Sequence, residues 1–206
     1  MADLILYTNP MSRGRIARWM LEETGVAYTT QIIPFGQAMK GADYTSVNPM
    51  GKVPALQHNG HIITETAAIC AYLADVFPEA KLAPTADERA KYYRWLFFGA
   101  GPVEAAVSNH ASGFNPTEEQ GRFIGYGSYE TVMDVLDQTL SATPYIAGDR
   151  FTAADVYVGA QVNFGLGFNT IEKRPSFIAY SQRLTERPAL QRATALDDAD
   201  MAKMKA

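Results

Sequence analysis

The chain has 206 residues, 47% of them hydrophobic and 19% charged, with a formal net charge of −4. Its length suits one large domain or two small ones with a real core, and its mild acidity, without any Lys/Arg run, excludes a nucleic-acid surface. No apolar run approaches the ~20 residues that cross a membrane, and the one cysteine, Cys70, excludes an intrachain disulfide.

The N-terminus lacks the basic start and apolar stretch of a signal peptide, so a cytoplasmic protein is expected. Leu4-Ile5-Leu6-Tyr7 reads as a buried strand and Asn9-Pro10 as a loop. Ile16, Trp19, Met20 and Glu23 share a helical face, with Ser12 or Asn9 as the cap and Gly25 as the stop. Tyr28 to Ile33 is a second strand, and a looser segment or short helix runs from Pro34 to Pro49. Val53–His58 and His61–Thr64 flank Asn59-Gly60, the strongest short hairpin signal, because both turn residues need positive φ. Ile69, Tyr72, Leu73 and Val76 then mark a helix that Pro78 stops. Beyond a linker at 79–87, helical patterns cover Asp87–Ala111 (interrupted by Pro102), Thr117–Leu140, Thr152–Phe168 and Ser176–Arg187. The expected organisation is an α/β domain over 1–78 and an all-α domain over 88–206.

Two stretches carry recognition chemistry. Pro54 at a strand entrance is a common place for a cis bond, which would turn the Val53 N–H and C=O outward to pair with an extended peptide; the alternative is a plain strand-entry proline. The helix that begins at Thr64-Glu65-Thr66 offers free N–H groups and a positive dipole end to a carboxylate. Thr66 adds a hydroxyl, and Glu65 can hold an ammonium; the alternative is simple capping by Thr64.

Together, Asn48-Pro49-Met50-Gly51-Lys52-Val53-Pro54-Ala55-Leu56, the Asn-Gly hairpin and Glu65-Thr66-Ala67-Ala68-Ile69 resemble the glutathione-binding core of cytosolic glutathione transferases. Gly148–Val156 resembles the helix-start motif of that family's second half, where Thr152 and Asp155 have N-cap and N3 spacing and Phe151 can act as a staple. The resemblance covers essentially the whole chain. It implies a thioredoxin-like N-terminal domain followed by a helical domain, and a homodimer. It also implies glutathione as co-substrate, whose thiolate attacks a small hydrophobic electrophile; the alternatives are a non-conjugating ligand-binding or interaction protein of the same fold, or a glutathione-dependent peroxidase, isomerase or dehalogenase.

By that resemblance Val53, Pro54, Glu65 and Thr66 grip the peptide, and Lys52, with Lys40 second, serves its glycine carboxylate. Ser12 ranks first as thiol activator, because serine-type members place their hydroxyl at the start of the first helix. Tyr7, at the end of the first strand, ranks second; the loop from Tyr7 to Arg13 is longer here than in tyrosine-type members. The Asn9 amide ranks third. No cysteine occupies this loop, which argues against mixed-disulfide chemistry, and Cys70 reads as a packed thiol. Met11, Arg13, His110 and Phe114 are candidates for the electrophile pocket. His58 and His61 read as solvated, and no cluster has metal-ligand spacing.

Overall fold

The structure is a computed structural model that describes residues 4–205. It divides into two compact units, Met1–Leu82 with Glu186–Ala206, and Ala83–Thr185.

In the first unit, β1 (Leu4–Thr8), α1 (Gly14–Thr24), β2 (Thr29–Ile32), α2 (Gln37–Lys40), α3 (Ala42–Thr45), β3 (Ala55–His58), β4 (His61–Thr64) and α4 (Thr66–Val76) follow in order. The four strands form one mixed sheet in the order β2-β1-β3-β4, with β1 parallel to β2 and the other pairs antiparallel. This is the thioredoxin-like arrangement expected from the sequence. Ile16, Ala17, Trp19, Met20 and Leu21 bury the inner face of α1, and Gly25 ends that helix in the left-handed conformation. The β3–β4 turn has positive φ at both Asn59 (51°) and Gly60 (79°), the twist that favours a tight hairpin. Gly14 starts α1 where a Cβ would lie 1.8 Å from Thr8 Oγ1, so only glycine lets the helix start this close to the end of β1.

The second unit contains α5 (Arg89–Phe98), α6 (Glu104–Ala111), α7 (Glu118–Gly121), α8 (Tyr129–Ala142), α9 (Ala153–Phe168) and α10 (Pro175–Thr185). Helix α9 is apolar nearly all round and forms the centre, burying Ala153, Val156, Tyr157, Val158 and Val162. Its start carries the expected capping box: Asp155 accepts the Thr152 N–H at 2.9 Å. Asp155 also accepts the Ile146 N–H at 2.7 Å and the Tyr180 hydroxyl at 2.8 Å.

Several expectations are corrected or refined. The interruption expected at Pro102 takes the form of a π-helical turn, Gly99–Val103, which absorbs the missing N–H between α5 and α6. The single helix expected over Thr117–Leu140 is two, because Gly127 takes φ 72° and Ser128 caps a new start by accepting the Thr131 N–H. The stretch 34–49, expected to be a looser segment or a short helix, holds two short helices, α2 and α3. His58 is buried rather than solvated, its Nδ1 2.9 Å from the Tyr72 hydroxyl.

The expected domain 88–206 is divided by a further helix, α11 (Pro188–Lys205), which belongs to the first unit. It lies along α1 through a set of ion pairs: Arg187–Glu23, Arg192–Glu22, Arg15–Asp198 and Arg18–Asp200 at 2.6–3.1 Å. At the centre Arg18 and Asp197, 2% and 1% exposed, sit 3.0 Å apart. Their contact is one of charge, because the Arg18 Nε–H does not point at the carboxylate and neither Asp197 oxygen takes an aligned hydrogen bond.

Candidate functional site

The strand register gathers the candidate recognition residues at one end of the sheet. Tyr7 lies opposite Ala55, and Ala55 opposite Thr64. The residues that follow Tyr7, precede Ala55 and follow Thr64 therefore leave the sheet at the same end. Those residues are Thr8 at the end of β1 with the Asn9–Arg13 loop, Val53-Pro54 and Glu65-Thr66.

The Val53–Pro54 bond is cis, as expected. The loop before it is tied by side chains. Asn48, buried, accepts the Met50 N–H at 3.1 Å through Oδ1 and donates through Nδ2 to the Lys52 carbonyl at 2.8 Å. The Tyr44 hydroxyl donates to the same Lys52 carbonyl at 2.7 Å. Lys40 Nζ donates to the Met50 and Gly51 carbonyls at 3.1 and 2.8 Å. Among the described residues, the Val53 N–H and C=O have no hydrogen-bond partner.

Helix α4 begins without a cap. Thr64, the alternative N-cap, instead ends β4, and no side chain caps the helix. Glu65 holds φ 66° and ψ 117°, a backbone region that a non-glycine residue reaches only at a cost. The Glu65 carbonyl accepts the Ile69 N–H at 2.9 Å, while the N–H groups of Thr66, Ala67 and Ala68 have no partner among the described residues. Thr66 itself is buried and Glu65 exposed.

The three activator candidates differ in what already holds them. Ser12 is half-buried; its hydroxyl donates to the Asn9 carbonyl at 2.7 Å and accepts the Gly14 N–H at 2.9 Å. Tyr7 is 7% exposed, packs against Tyr44, and donates its hydroxyl to Gln57 Oε1 at 3.0 Å. Asn9 is fully buried and ties the loop together, with Nδ2 donating to the Ile33 carbonyl at 3.0 Å and Oδ1 accepting the Met11 N–H at 2.9 Å.

Comparison with known proteins identifies the family. The N-terminal domain model of glutathione S-transferases matches residues 2–75, and their C-terminal domain model matches residues 117–188. The solved glutathione transferase of Methylococcus capsulatus is 31% identical, with 95% of this chain and 99% of that one covered and a TM-score of 0.78. The chain belongs to the glutathione S-transferase family. Glutathione S-transferase GstA of Escherichia coli O157:H7 is 28% identical over 199 residues, covering 91% of this chain and 96% of the relative. A sphingomonad glutathione S-transferase, solved in complex with glutathione, is 26% identical, covers 94% of this chain and 98% of its own, and has a TM-score of 0.77.

The other candidate residues fall in two places. Lys52 is exposed beside Val53, while Lys40 is turned onto the loop carbonyls. Met11 (55% exposed) and Arg13 lie at the surface of the first unit, on the loop that carries Ser12. His110 and Phe114 lie in the second unit, both exposed. The His110 ring stacks on Tyr129 at 3.9 Å, and its Nδ1 sits 2.8 Å from Asn115 Oδ1. Cys70 is wholly buried, and burial pushes its thiol pKa far above the ordinary value. Among the described residues, no group of three or more His, Cys, Asp or Glu could hold a metal, and no helix is long and apolar enough to cross a membrane.

Sequence reasoning missed Tyr44 and gave no role to Asn48, which it placed at the head of the resembling motif. Asn48 carried a signal, since Asn before Pro favours a turn stabilised by its own side chain. Tyr44 carried none, because its hydroxyl meets Lys52 only after α3 packs beside the loop.

Proposed function

We propose that this family member is a glutathione transferase that activates the thiol of bound glutathione for attack on a small hydrophobic electrophile. The observation that supports this most is the pairing of two unsatisfied recognition elements at one sheet end: the Val53 backbone and the uncapped start of α4. A dipeptide edge pairs with Val53 as a short strand would. The α-carboxylate of the γ-glutamyl group takes the Thr66 hydroxyl and the first-turn N–H groups, and its ammonium takes Glu65. Lys52 meets the glycine carboxylate; Lys40 reaches it only by giving up its loop carbonyls.

Ser12 supplies the hydrogen bond to sulfur. Rotating its hydroxyl from Asn9 to the thiolate breaks one neutral hydrogen bond, a net cost of about 1 kcal/mol. The Asn9 carbonyl is not orphaned, since it still accepts the Ser12 N–H at 3.1 Å. Ser12 Oγ keeps the Gly14 N–H, which polarises the hydroxyl toward donation. Lowering a thiol pKa from ~8.5 by about two units takes roughly 2.7 kcal/mol, within reach of one charge-assisted bond plus the α1 dipole. The thiol proton leaves to solvent, a sulfur lone pair forms the new C–S bond, and the electrophile's leaving group departs with its electron pair. Tyr7 is the weaker candidate, because its hydroxyl is spent on Gln57 inside the sheet. Met11, Arg13, His110 and Phe114 as electrophile contacts, a homodimer and a cytoplasmic, detoxifying role belong to the same reading and rest on the family.

The test is conjugation of glutathione to a chlorodinitroarene by wild type, Ser12→Ala and Tyr7→Phe. The reading expects turnover in wild type, lost in Ser12→Ala and kept in Tyr7→Phe. Absence of turnover in wild type despite bound glutathione would remove conjugation, and a loss confined to Tyr7→Phe would move the activating role to Tyr7.

A further inference from the structure

We propose that Tyr44 and Asn48 are positioning residues of the glutathione site, which aim the Val53 N–H at the ligand by gripping the opposite end of its peptide plane. The inference rests on the glutathione-binding reading above and goes further by naming what makes that site rigid.

The Lys52 carbonyl and the Val53 N–H belong to one peptide unit. That unit is planar, and the 52–53 bond is not among the cis bonds, so its C=O and N–H point in opposite directions. Fixing the oxygen fixes the direction of the hydrogen. The oxygen is fixed twice, by Tyr44 Oη at 2.7 Å and Asn48 Nδ2 at 2.8 Å. Both donors are themselves buried and anchored. Tyr44 packs in a small cluster with Tyr7, Ile33, Met39 and Ala55. Asn48 is held at its other end by the Met50 N–H, and its own N–H bonds to the Tyr44 carbonyl at 2.9 Å.

Two donors on one carbonyl also draw charge along the amide, which makes the N–H on its far side a stronger donor. Burial pushes the Tyr44 phenol pKa up to about 12, so it stays protonated and donating at every physiological pH. Two buried side chains thus serve a single backbone group that has no hydrogen-bond partner among the described residues. A loop needing only to be closed would be served by the Asn48 turn alone.

The experiment is titration of wild type, Tyr44→Phe and Asn48→Asp with reduced glutathione by calorimetry, with the Val53 amide followed by 1H–15N NMR. Tyr44→Phe leaves the carbonyl one donor, so the fold survives, and the glutathione Kd is expected to rise about five-fold. Asn48→Asp keeps the Met50 contact but sets a carboxylate oxygen against the Lys52 carbonyl, and a larger rise is expected. In both variants the ligand-free Val53 15N resonance moves, which a loss of stability elsewhere would not cause. If wild type binds and both variants bind equally well, the positioning role is overturned while the site stands. If wild type does not bind, the site itself is overturned, and this inference falls with it.

Discussion

Ser12 Oγ donates to the Asn9 carbonyl at 2.7 Å, so the hydroxyl read as thiol activator already has a hydrogen bond inside its own loop. The bond is local, half-buried and replaceable, because the same carbonyl is also held by the Ser12 N–H. Ser12 therefore closes the start of α1 through Gly14, and under the proposed function it has a second, separable duty, donating to sulfur.

Replacing Ser12 by Ala removes both duties at once. Losing a donor to a developing or resident anion lowers kcat/KM by about 10²-fold, whereas losing the bond to the Gly14 N–H, which is not an N-cap since Arg13 takes that position, costs about 1 kcal/mol of stability. The glutathione Kd is expected to change by less than about three-fold, since the peptide is held elsewhere. Stopped-flow absorbance of the bound thiolate against pH separates the two duties. The thiol pKa rises in the variant if Ser12 acts on sulfur and stays put if it only holds the Gly14 N–H.

The buried Arg18–Asp197 pair gives α11 a pH dependence of defined sign. Burial, first, pushes the Asp197 carboxyl from its ordinary 3.8 up to about 6, against the pull of Arg18 and Arg15 and with the help of Asp200 and Asp198. Tyr28 also faces it. A raised carboxyl binds more protons in the folded chain than in the unfolded one between these two values. Its contribution to stability is therefore present at the acid end and is lost as pH rises from about 4 to about 6, by on the order of 2–3 kcal/mol. Asp200 acts in a different window. Burial works against its charge, but Arg18 and Lys203 hold its pKa below the ordinary value, so its contribution is lost only at more acid pH. Urea unfolding of wild type and Asp197→Asn across pH 4–7 checks this: the difference in unfolding free energy between the two should change over that span, and a difference that stays constant would count against it.

Asp155 ties together the segment before α9. It satisfies the Ile146 and Thr152 N–H groups, the Thr152 hydroxyl and the Tyr180 hydroxyl, all in a buried setting. Asp155→Ala leaves those donors without a partner, and a loss of about 3–5 kcal/mol is expected. Asp155→Asn keeps an accepting oxygen and should lose less. Chemical denaturation ranks the two variants, and glutathione affinity at low temperature should be unchanged in the milder one.

What could be read in the sequence was chemistry that acts over a few residues. Asn59-Gly60, Val53-Pro54, Thr152 with Asp155, and the periodic face of α1 each specify their conformation locally. Helix α11 escaped notice because its buried face is made of Ala189, Ala193 and Asp197 rather than large apolar residues. Its partner α1 lies more than 160 residues earlier in the chain. The break between α7 and α8 was signalled by Gly125 and Gly127, but the apolar spacing on either side hid it. His58 read as solvated because its position beside a turn says nothing of Tyr72, which packs over it from α4. The recognition end of the candidate site was legible for the same local reasons. The Tyr44 grip on Lys52 was not, since it exists only once two short helices fold over the loop.

The central claim is that glutathione docks on the Val53 backbone and the start of α4. Titration of uniformly 15N-labelled protein with reduced glutathione tests it most directly. The account predicts saturable shifts of the Val53, Thr66, Ala67 and Ala68 amides, with Thr66→Ala weakening them. Absence of any saturable shift, or saturable shifts confined to the second unit, would contradict it.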